Sequence, residues 1–195
     1  LIRTIVLSAT YQQTSKLTAS PDEQDLRLGL FGVARVKRLE VESIWRTLNL
    51  LEHDPQSGER RREPPYDMVK EMEDLFDGAD RDLIVPRRSA SISSLQALFF
   101  MNSEHVKRST EKLATRLHRL PDDPARISQA FRLLYGRVAS KADVARGEAF
   151  LKEWKIDASS LQKSRNKNAP PPEILARWQA YLQALLATNE FLFIY

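Results

Sequence analysis

Cysteine is absent from all 195 residues, which removes disulfides, thiolate nucleophiles, Cys-ligated metals and covalent haem attachment. Glycine is scarce, at six residues, and so low a number argues against a turn-rich all-β protein. Nowhere does an apolar run reach the roughly eighteen residues that a membrane-crossing helix needs, so no membrane span is expected. Histidine occurs three times, as His53, His105 and His118, and never in H-x-x-x-H or H-E-x-x-H spacing. No metal and no cofactor is therefore expected. Glycine-rich phosphate loops of either common pattern are missing. Charge of one sign does not dominate: 30 basic against 26 acidic residues leave +4, mixed along most of the chain. That balance is a solvated surface, and nucleic acid is not the expected partner.

Leu, Ala, Arg, Lys and Glu are plentiful, a composition that favours helix. Polar or Pro-rich stretches at 15–25, 54–65, 78–91 and 157–172 read as long loops. Between them the apolar spacing is helical. A helix from about Val33 to His53 puts Val41, Ile44, Trp45, Leu48 and Leu51 on one face, and PYDMVKEMEDLF is a shorter helix with Met68, Met72, Leu75 and Phe76 inward. Leu95, Leu98, Phe99, Val106, Leu113, Leu117 and Leu120 form a further stripe, with a break expected near Asn102-Ser103. Asp123 as N-cap, Pro124 behind it and Gly136 as left-handed stop delimit one helix, and Ser140 caps the next. Together they make an αα-hairpin. A last helix starts at Pro172-Glu173, and NEFLFIY leaves it as an extended tail.

The expected fold is thus all-α, an irregular multi-helix domain with an αα-hairpin in its C-terminal half and long loops. It is taken as one domain over 1–195, with 1–90 and 91–195 as its sub-lobes. Because LIRTIVLSATY opens on Leu1, the chain is read as a fragment of a longer protein.

No catalytic constellation emerges. Ser8 and the serines of SASISS lie outside G-x-S-x-G, and a helix cap at Ser91 or Ser93, starting a helix near Ile92, accounts for the latter. Glu71, Glu73, Asp74 and Asp77 read as a wet helix face. Arg38, Glu42 and Arg46, at i, i+4 and i+8, read as a charge ladder on one helix. Basic clusters occur at Arg60 to Arg62, at Lys107-Arg108, and at Lys163, Arg165 and Lys167; the first and last lie in loops without interleaved aromatics, so no base-stacking platform is read.

Five segments, in order, resemble a known family. LSATYQQTS resembles its S-A-T-Y-R-Q-S-S; KRLEVESIWR its R-R-L-E-A-E-A-I-R-D helix; and PRRSASISSLQALFFMN its R-x-x-S-x-x-P-L-Q-A-L-x-L-L-N-D element. FRLLYGR resembles L-x-L-G-R-x-P, and LLATNEFLFIY resembles L-L-N-S-N-E-F-L-Y-V-D. The family is the C-terminal planctomycete-specific domain of large proteins that often also carry a cytochrome-c-like domain. Gln12, Ser94 and Ser103 depart from its Arg, Pro and Asp, and the stretch from Leu51 to Phe76 is shorter than usual.

The resemblance implies an extracytoplasmic or cell-envelope location. The function expected is a helical accessory or interaction module that packs on upstream domains of its parent chain or on a protein partner. The alternative is a ligand-binding or catalytic lobe of an extracytoplasmic, carbohydrate-acting enzyme. For that alternative Tyr11, Arg88, Gln96, Asn102, Asn189 and Glu190 converge on one pocket, and Arg38 with Glu42 completes the candidate polar cluster. On the structural reading Gln96 and Asn102 instead bind main-chain groups, and Arg88 pairs with Glu190 or Glu42.

Overall fold

In a computed structural model, residues 1–15, 20, 22–23, 28–56, 58, 65–79, 91, 93–155 and 170–194 are described. Helices dominate, as the composition predicts, and the chain falls into two compact units.

The smaller unit holds residues 1–39 and 193–195. Its opening helix α1, Ile2–Val6, buries none of its residues. Ser8 donates its hydroxyl to the Ile5 carbonyl at 2.7 Å and accepts from the Tyr11 N–H at 3.2 Å, so LSATY is a turn closed by a serine. The same unit has a two-stranded antiparallel sheet, β1 Lys37–Arg38 against β2 Phe193–Ile194, with Lys37 opposite Ile194 and Arg38 opposite Phe193.

That sheet corrects the reading of residues 33 to 53 as one helix. The helix α2 runs only Val41–Glu52, and Glu40 before it is extended at φ −70°, ψ 147°. Arg38 therefore sits on a strand and does not share a helix with Glu42 and Arg46. Local periodicity favours helix through this stretch, but a main-chain partner from the far end of the sequence recruits the backbone at Lys37 and Arg38.

The larger unit, Glu40–Leu192, carries the core. After α2 come α3 Tyr66–Leu75, α4 Ser94–Asn102, α5 Glu104–Leu117, α6 Asp123–Tyr135, α7 Lys141–Glu153, α8 Pro172–Leu186 and the short α9 Asn189–Leu192. Helix α5 is the hub: it packs chiefly against α8 and α2, and also against α4 and α6. Its Val106, Leu113 and Leu117 meet a core containing Ile44, Leu48, Met72, Phe100, Ile127, Leu182 and Leu186. Edge-to-face contacts join Phe76, Phe99, Phe100 and Phe191 with centroids 5.4 to 6.0 Å apart, tying α9 to α4.

The αα-hairpin of α6 and α7 has the expected punctuation, shifted by one residue at its start. Asp122, not Asp123, is the N-cap and accepts from the Ala125 N–H at 2.8 Å, while Gly136 closes the helix at φ 68°. Ser140 caps α7 in a capping box with Asp143. Gly147 lets α7 approach α8: a Cβ there would lie 2.6 Å from the Tyr181 hydroxyl and 2.8 Å from Ile127 Cδ1.

Helix α4 turns a different face inward than its leucines suggest. Gln96, Phe99 and Phe100 are buried, whereas Leu95, Leu98 and Met101 are exposed. Gln96 is the reason. Its amide donates to the Leu75 carbonyl at 2.9 Å and the Ser91 carbonyl at 3.3 Å, and its oxygen accepts from the Ser93 N–H at 3.4 Å. Those bonds fix the rotation of α4 against the end of α3. Ser93, one of the two candidate caps, is the N-cap of a helix that starts at Ser94, two residues after Ile92, and α4 ends at Asn102 where the break was expected.

Candidate functional site: a charged groove beside an apolar cleft

One face of α5 carries Arg108, Lys112 and Arg116 at four-residue spacing, followed by Arg119 just past its end. The end of α2 lies alongside, and at His53 the chain leaves helix for extended backbone (ψ 125°), presenting Glu52, the His53 carbonyl and Asp54 to that basic face. Glu52 Oε1 receives His105 Nδ1 at 3.0 Å, Arg108 Nε at 3.2 Å and the Ser109 hydroxyl at 3.1 Å. Ser109 also donates to the His105 carbonyl at 2.8 Å, the back-bond that serine makes within a helix. Next along the groove, Arg116 Nη1 donates to the His53 carbonyl at 2.7 Å and Arg119 pairs with Asp54 at 2.6 Å.

These contacts set the charge states. Burial raises the Glu52 carboxyl, but hydrogen bonds and positive charge from His105 and Arg108 outweigh it and hold the group at about 2. Asp54 is lowered chiefly by its bond from Arg119. Arg116 is pushed down by burial, with Asp54 acting on it only at a distance and Arg119 repelling it.

The groove has a volume of about 380 Å³, and Glu52, Asp54, Lys112, Arg116 and Arg119 are among its walls. Sharing Leu51, His53, Asp54, Arg116 and Arg119 with it is a larger cleft of about 840 Å³ between α2 and α6. Leu50, Leu117, Leu120 and Leu133 make that cleft's lining largely apolar. Leu50 and Leu133 remain 51% and 38% exposed, so apolar surface stays open to solvent. His105 is not among the groove's walls, and its Nε2 is buried with no partner among the described residues, so its bond to Glu52 ties α5 to the end of α2. Among the described residues no three His, Asp or Glu side chains cluster as metal ligands.

A second polar centre lies at the αα-hairpin. Arg137 follows the Gly136 stop, pairs with both carboxylate oxygens of Glu190 and reaches Asp143 at 2.8 Å. The Phe131 ring lies 4.9 Å from its guanidinium. Asp143 also binds Ser140 and takes Arg146 at 2.5 Å; burial works to raise its carboxyl, yet these donors hold it far below the usual range. Burial pushes the neighbouring Tyr135 phenol up to about 12, and its hydroxyl bonds Leu185 and Thr188. Two of the segments that carry the family resemblance, FRLLYGR and TNEFL, are thus joined by Arg137 and Glu190.

Of the residues expected in a polar cluster, Tyr11 and Arg38 belong to the smaller unit, where Tyr11 is exposed. Arg88 lies outside the described residues. In the larger unit Gln96 is buried against main-chain carbonyls, and Asn102 is exposed at the end of α4. Glu42 is half-buried in the first turn of α2, and Asn189 is exposed at the start of α9. Glu190 has Arg137 as its partner. The basic face of α5 was missed, although its four-residue spacing was visible in the sequence. What could not be seen there is which carboxylates would stand opposite it.

The larger unit is therefore an all-α domain whose open face joins an apolar cleft to a charged groove. Residues 58–151, just under half of the chain, match the family described as PSD1, Protein of unknown function (DUF1553). That span runs from the loop before α3 into α7 and includes the basic face of α5. No curated protein and no solved structure matches the chain.

Proposed function

We propose that this chain is a helical accessory module of a larger, extracytoplasmic multidomain protein, and that it works by docking on other domains of that protein. The cleft carries this reading: exposed Leu50 and Leu133 border an apolar recess of about 840 Å³ with charged residues at its edge. Open apolar surface rimmed by polar groups is the usual form of a protein contact. The exposed Leu95, Leu98 and Met101 on α4 add a second apolar strip. The five resembling segments support the planctomycete-specific assignment, the association with a cytochrome-c-like domain and the cell-envelope location. The match to a family of unknown function is compatible with all three.

The test is calorimetric titration of this chain with the remaining domains of its parent protein, produced separately. Binding that Leu133→Glu and Leu50→Glu each weaken at least about tenfold is expected, the effect of burying a charge in an apolar contact. Absence of binding, or binding indifferent to both substitutions, refutes docking through the cleft. Fractionation of the native cells checks the location.

A further inference from the structure

We propose that Lys112 and Arg116 form an oxyanion site on α5, one that takes a carboxylate or a phosphate group. Arg108, Lys112, Arg116 and Arg119 follow one another at helical spacing, and like charges so placed destabilise a helix. The end of α2 pairs directly only with the outer two, through Glu52 on Arg108 and Asp54 on Arg119, while Asp54 acts on Arg116 from a distance. The inner two are left over. Arg116 spends one N–H on the neutral His53 carbonyl, and no described carboxylate lies at ion-pair distance from it or from Lys112.

Arg116 and Lys112 are one helical turn apart and both line the 380 Å³ groove, which has room for a small anion with water around it. Arg116 is half-buried and anchored through Nη1 on the His53 carbonyl, while exposed Lys112 can swing to meet an anion there. A planar guanidinium supplies paired donors and the ammonium supplies a point charge, a combination that suits an oxyanion. The site lies near the C-terminal end of α5, where the helix dipole opposes anions, and Glu52, Asp54 and Glu111 stand in the same walls, so attraction rests on these two side chains prevailing over them. This inference concerns free anions and stands apart from docking through the cleft.

The whole chain is titrated with inorganic phosphate and, separately, with glutarate, at an ionic strength held constant with chloride. The melting temperature and the amide NMR shifts of α5 are followed. A saturable response to either anion is expected, and whichever binds more tightly identifies the source of the oxyanion. Lys112→Glu should weaken it at least about tenfold, the worth of one charged hydrogen bond. Lys112 is exposed, so that variant keeps the fold, and Arg116→Gln provides the second test. A response that never saturates and equals that to chloride overturns the proposal. So does a saturable response that Lys112→Glu leaves unchanged.

Discussion

Replacing Glu52 by Gln should remove one specific part of the acid sensitivity of this fold. The glutamine keeps shape and an acceptor for Ser109 but cannot carry the charge that faces His105 and Arg108. In the folded chain the Glu52 carboxyl sits at about 2 against an ordinary 4.5. At about 1.4 kcal/mol per pH unit, that difference amounts to roughly 3 kcal/mol at most. The Glu52 side chain is 18% exposed, so solvent screening takes little from this ceiling. The sign follows from a folded value below the unfolded one. The contribution is fully present above pH 4.5 and is lost as the pH falls through about 2. Urea unfolding of wild type and Glu52→Gln at intervals from pH 6 to 2 measures it. The stability difference between them should shrink by up to about 3 kcal/mol across that acid range. Other carboxylates titrate equally in both proteins and cancel. Parallel profiles from pH 5 to 2 would refute the claim that His105 and Arg108 hold this carboxylate ionised.

Gly147→Ala should destabilise by about 1–3 kcal/mol, because the new methyl collides with Tyr181 and Ile127 and outweighs alanine's better helix propensity; urea midpoints check it. Gln96→Ala should cost about 1–3 kcal/mol by leaving the Leu75 carbonyl without its donor, and unchanged melting would sink the view that this amide holds the fold. Phe100→Ala, at a fully buried ring that meets Phe76, Phe99 and Phe191, should cost about 3–5 kcal/mol in the same assay.

Much of the larger unit was legible without coordinates. Where helix limits are set by neighbouring residues, they were readable to within a residue: Pro at the second position of α6, Gly136 at its end, Ser140 before α7 and Pro172 opening α8. The inward residues of α8, Leu175, Trp178, Leu182, Leu185 and Leu186, followed from helical spacing alone. These features depend on interactions within a few residues, and sequence order carries them directly.

Tertiary structure decided the rest, because it depends on partners distant in sequence. Lys37 and Arg38 became strand because residues 193 and 194 lie beside them. Helix α4 turned its leucines outward because the Leu75 carbonyl needed the Gln96 amide. Glu190 was legible as a polar position, but its partner Arg137 stands 53 residues earlier. The groove follows the same logic. The sequence determined a row of four cations on one side of α5, whereas the meeting of α2 with α5 decided that Arg108 and Arg119 pair with carboxylates while Arg116 meets only a neutral carbonyl.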